Sequence, residues 1–130
     1  MGLLAVIVAA VAGWVFGAAW YMALSKPWVA AANIAVDENG RPVGDSALPY
    51  IMSMIAMILV AGMMRHTFAL SGIETFGKGL TSGLGIGLFF ISPWIMINNA
   101  YGMRPFKLTL IDAGYATFGC AVVGAVLTLF

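Results

Sequence analysis

A chain of 130 residues that is 62% hydrophobic and 8% charged lies far from the composition of a water-soluble domain, which carries about 25% charged residues. The formal net charge of +1, with no basic run, removes any argument for a nucleic-acid partner. One Cys and one His in the whole chain exclude an intrachain disulfide and, within one copy, a structural zinc site, and no cofactor is expected.

The reading is therefore an all-α integral membrane protein: a four-helix bundle with a short interfacial helix between helices 1 and 2, forming one transmembrane domain over 1–130. Crossing a hydrocarbon core takes roughly 20 helical residues. Apolar stretches suited to this occupy about 2–24, 47–65, 72–98 and 106–130. The first has no Lys or Arg ahead of it and is too long for the apolar region of a secretion signal, so it reads as a retained span. Gly13 and Gly17 give it a Gly-x-x-x-Gly face, and Trp20 and Tyr21 lie near its end.

After Lys26-Pro27 the Ala-rich "KPWVAAANIAV" suits a helix lying along the interface. "DENGRPVGD" carries the punctuation of an aqueous turn. Asp45 or Ser46 can cap the second span, and Pro49 falls in its first turn, where a missing N–H costs nothing. The Met residues 52, 54, 57, 63 and 64 read as flexible gap fillers rather than a copper path. His66, beside Arg65, reads as a solvated interfacial imidazole rather than a haem ligand.

Ser71 and Glu74 have the spacing of a capping box for the third span, with Glu74 and Lys78 one turn apart. Gly79, Gly83 and Gly87 form overlapping Gly-x-x-x-Gly steps, and Gly124 lies on a small-residue stripe of the fourth span with Ala113, Thr117 and Cys120. These are expected to pack helices inside one bundle, with an oligomer interface as the alternative. Pro93 should bend or end the third span.

The fourth span contains Asp112 in "LTLIDAGY", and two readings stay open. In one, Thr109 is the N-cap, "TLID" is a capping box and the helix starts at Leu110. In the other, Pro105 is the first helical residue and Asp112 lies roughly 10 Å along the axis, a carboxylate in need of a partner. Asp112, Tyr115 and Gly119 share one face by three-and-four spacing. If spans one and three end where span four begins, the candidate ligand-binding residues Trp20, Tyr21, Lys26, Trp94, Asn98, Asn99, Asp112 and Tyr115 gather there, beside Tyr101, Arg104 and Lys107. Such a pocket suits a head group, a quinone-like ring or a small cation. The competing reading is an ordinary interface of aromatics and snorkelling bases.

"WVFGAAWYMALSKPWVAA" (Trp14 to Ala31) and "RPFKLTLIDAGY" (Arg104 to Tyr115) resemble the motifs of the bacterial membrane proteins grouped as domain-of-unknown-function 1761. The family motifs fall on Trp20, Tyr21 and on Ile111 to Tyr115. The resemblance implies a small four-helix membrane protein and implies no reaction. The chain departs from it at Met22, where the family commonly carries Gly or Pro.

For function, the residues suggest a non-enzymatic scaffold, accessory or lipid-binding protein, with membrane lipid and either a homo-oligomer or a larger membrane complex as partners. The alternative is a small proton- or ion-coupled transporter or channel using Asp112. A nucleophile with a base, paired carboxylates in one span and a metal-ligand cluster are all missing, so no enzyme is expected. The expected location is the bacterial cytoplasmic (inner) membrane. Lys26, Arg41, Arg104 and Lys107 outweigh Arg65 and Lys78, which favours both termini on the non-cytoplasmic side, with dual insertion as the alternative.

Overall fold

The computed structural model describes residues 2–39 and 47–130. In chain order they form α1 (Gly2–Ala23), α2 (Ser25–Ala32), α3 (Leu48–Ser71), α4 (Phe76–Ile86), a π-helical turn (Gly87–Ile91), α5 (Ser92–Tyr101) and α6 (Phe106–Leu127). Among the described residues there is no strand. α1, α3, the continuous run Phe76–Tyr101 and α6 are each long and apolar enough to cross a membrane.

α1 breaks at Leu24 (φ −106°, ψ 21°), and the next eight residues form the expected short helix α2, closed by Asn33 in the left-handed region at φ 56°. Asn adopts that conformation at little cost because its short side chain avoids the clash that larger residues meet. Pro49 falls in the first turn of α3, as its missing N–H allows. The caps considered at Asp45 and Ser46 lie outside the described residues.

Two helix ends, the close of α3 and the start of α4, differ from expectation. α3 continues past Arg65 and His66 to Ser71 because Phe68, 4% exposed, anchors the added turns on the core. Ser71 is thus a helix terminus and not a cap: Gly72 closes α3 at φ 68°, and Thr75 caps α4 by accepting the Lys78 N–H at 3.3 Å. Glu74 stands in the connection between them. Pro93 does not end the third run. The Ser92 N–H reaches back five residues to the Gly87 carbonyl, and this wider turn lets the chain pass a residue that has no N–H to donate.

At the fourth span, Pro105 is extended (φ −66°, ψ 147°), no side chain caps the helix, and Phe106 is its first residue. The capping box on Thr109 therefore does not form. Thr109 is buried inside α6, where its Oγ1 accepts a hydrogen bond from Asn99 Nδ2 at 3.1 Å. Pro105 itself lies one residue outside the helix that the second reading began with it.

α6 is the central element, in contact with every other helix. Half of its span is buried, against 11% for α3. Its close partner is α4, because both helices lack side chains where they meet. A Cβ at Gly83 would strike the Cys120 carbonyl, one at Gly87 the Ala116 carbonyl, and one at Gly124 the Gly79 carbonyl. Small residues let backbones approach this closely and gain dispersion contacts that lipid does not replace. On the other flank, Gly13 leaves room for Met57 and Val123, and Gly17 for the ring of Tyr115. The main core, including Ala9, Ala61, Phe68 and Val123, joins α1, α3 and α6. A smaller cluster of Ala31, Ala32, Leu108 and Ile111 seats α2 on the start of α6.

Candidate functional site

The last turn of α1 lies along the first turns of α6, and two side chains join them. Trp20 Nε1 donates to the Ile111 carbonyl at 3.0 Å. Tyr21 Oη donates to Asp112 Oδ1 at 2.6 Å, the short distance expected when a hydroxyl meets a carboxylate. Among the described residues Oδ2 of Asp112 has no protein partner, and the half-buried carboxyl lines a cavity of about 600 Å³.

One turn further along α6, Tyr115 Oη donates to the Gly13 carbonyl at 3.0 Å and lies 3.6 Å from Met57 Sδ. The absent side chain of Gly17 makes space for that ring. Tyr21 stands nearly perpendicular to both aromatic neighbours: 5.7 Å and 70° from Trp28 on α2, 5.5 Å and 72° from Tyr115. These edge-to-face contacts are favourable ring arrangements and fix Tyr21, the donor to Asp112, between Trp28 and Tyr115.

The rest of the wall is mostly apolar. Met57 and Val60 come from α3, Ile91 from the π turn, and Ile95 with Asn98 and Asn99 from α5. Among the described residues Asp112 is the only Asp, Glu, Lys, Arg or His on that wall. Behind it, buried Ser92 clamps the π turn to α6: its hydroxyl lies 2.6 Å from the Gly87 carbonyl, 3.2 Å from the Ala113 carbonyl and 3.2 Å from Thr117 Oγ1. Arg104 Nη1 donates to the Ala32 carbonyl at 2.7 Å, tying the approach to α6 to the end of α2.

Of the candidates drawn from the sequence, Tyr21, Asn98, Asn99, Asp112 and Tyr115 come together on the cavity wall. Trp20 supports it from one side. Trp94 and Lys26 do not join it. Trp94 is 66% exposed on the outer face of α5, and Lys26 is exposed on α2. Sequence reasoning passed over Trp28, although it follows Lys26-Pro27 directly, and treated Met57 only as filler. No local pattern indicates that α2 folds back to bring Trp28 against Tyr21.

Chemically, the site offers a carboxylate and amide groups at the end of an apolar cavity. Among the described residues no cluster of three His, Cys, Asp or Glu side chains is placed to hold a metal ion. A carboxylate among apolar walls is costly unless something compensates it, and one phenol O–H compensates only part.

The fold and site define an all-helical protein with four potential membrane-crossing helices and one acidic, aromatic cavity among them. Residues 4–128 match the family described as "Protein of unknown function (DUF1761)", and the chain belongs to that family. No curated protein and no solved structure matches it.

Proposed function

We propose that this protein is a multi-pass component of the bacterial cytoplasmic membrane whose four long helices form a single transmembrane bundle. It acts without catalysis, binding a lipid-like membrane solute in the cavity beside Asp112 as an accessory to a larger membrane complex or within a homo-oligomer. One observation carries this reading: a cavity of about 600 Å³, apolar along most of its wall, is also lined by a carboxylate whose second oxygen has no partner among the described residues. That volume lies within the range of pockets that enclose small ligands, and its polarity is graded as an amphipathic molecule requires.

A long-chain alkyl diazirine photolysed in native membranes tests the reading. Label is expected on Trp28, Met57 and Ile95, three elements of one wall, above the level at lipid-facing Leu59 and Phe89. Ala116→Phe, which projects a ring into the cavity, should lower the cavity label and leave the outer label unchanged. Uniform labelling of all apolar positions would contradict the proposal.

A second reading, proton- or ion-coupled transport, is favoured by the position of Asp112 seven residues into α6, Phe106 being the first, where it bridges to α1. Proton flux in liposomes that disappears in Asp112→Asn would support it. Flux unchanged by that substitution would remove it.

A further inference from the structure

Among the described residues, the wall of this cavity carries formal charge of one sign, that of Asp112. Tyr21 Oη directs its one proton to Asp112, and Tyr115 Oη directs its own to Gly13. Asn99 uses an amide proton on Thr109. With those protons committed, the acceptors left over are the second carboxylate oxygen of Asp112, the phenol lone pairs and the Asn99 amide oxygen. The side-chain N–H donors among the described lining residues are neutral: the amides of Asn98 and Asn99 and the indole of Trp28.

Among the described residues no Lys, Arg or His lines the cavity, and Arg104 is committed to the Ala32 carbonyl. A phosphate or carboxylate head group would meet Asp112 with nothing to neutralise it. A positively charged head meets the opposite situation, with a carboxylate and three aromatic side chains on the same wall, Tyr21 lying at a steep angle to both Trp28 and Tyr115. Ring faces attract cations, and more strongly in desolvated sites than at exposed ones.

Resting on the binding role proposed above, we infer that the cavity selects an amphipathic monocation, an ammonium-type head with an apolar tail and no accompanying phosphate. The head lies against Asp112 Oδ2 among Tyr21, Trp28 and Tyr115, and the tail lies along Val60, Ile91 and Ile95.

The test uses the full chain purified in an uncharged maltoside detergent and labelled with the alkyl diazirine. Competitors share a dodecyl tail and differ in head: dodecyltrimethylammonium, dodecanol and dodecyl sulfate. The cation should displace the label from Trp28 and Met57 at about tenfold lower concentration than the alcohol, as expected for about 1.4 kcal/mol of head-group preference. The sulfate should compete least. In Asp112→Asn the preference for cation over alcohol should fall to within about twofold while cavity labelling persists. Equal competition by cation and alcohol in the unmodified protein, or a preference that survives Asp112→Asn, overturns the inference and leaves the binding role standing. Absence of cavity label overturns both. Comparison of heads within the unmodified protein keeps the test decisive even if the variant does not fold.

Discussion

Asp112 and Tyr21 are joined by a hydrogen bond of 2.6 Å between helices that are 91 residues apart in the chain. Coupling energies between membrane helices average about 0.6 kcal/mol and reach about 1.7. A bond to a carboxylate belongs at the upper end of that range. A double-mutant cycle of Tyr21→Phe and Asp112→Ala, read by reversible unfolding in detergent, should therefore return a coupling of about 1–1.7 kcal/mol. Additivity would mean that the bond contributes nothing. The stripe of Asp112, Tyr115 and Gly119 was legible in the sequence because a three-and-four spacing survives wherever the helix begins. The role of Thr109 was not, since a cap and a buried helical Thr use the same residue type. What separates them is Asn99, on another helix, which occupies the Thr109 hydroxyl at 3.1 Å.

Among the elements, the glycine faces were readable because their period is that of the helix itself, and Gly79, Gly83 and Gly87 all meet α6. Which glycines matter becomes clear only when the partner is seen. A Cβ at Gly83 collides with backbone at Cys120, whereas one at Gly85 meets nothing within 4 Å. Gly83→Ala should lower stability by about 1–3 kcal/mol, since backbone cannot yield as a flexible side chain does. Gly85→Ala should leave stability unchanged or raise it by up to about 1 kcal/mol through helix propensity. Thermal unfolding of the two variants under one condition checks the pair; equal losses would contradict the packing. Helix ends were less legible than faces. Pro93 announces a disturbance, but the continuation of its helix depends on Ser92 bonding across to Ala113 and Thr117. The extension of α3 likewise depends on the distant core that receives Phe68.

For the whole molecule, composition alone identified four apolar helices, and the arrangement around α6 explains their unequal burial. α6 is half buried, while α3 directs Ile51, Ile55, Leu59 and Met63 outward. Large exposed apolar faces on α1, α3 and α5 are compatible with lipid and unsuited to water. If all four helices cross, the connections before α3 and before α6 share one side and that before α4 lies on the other. In intact and inverted vesicles, Glu38→Cys and Met103→Cys should react with an impermeant maleimide from one side and Glu74→Cys from the other. Buried Cys120 provides the unreactive background. Reaction of all three from the same side would contradict four crossings.

The central claim is that the cavity holds a guest, and native mass spectrometry of the protein released from detergent tests it most directly. With the unmodified chain and Ala116→Phe prepared from the same membranes and both eluting as folded species, the account predicts a small-molecule adduct on the unmodified protein. That adduct should be lost from Ala116→Phe. Identical spectra from the two proteins, with or without adducts, would contradict it.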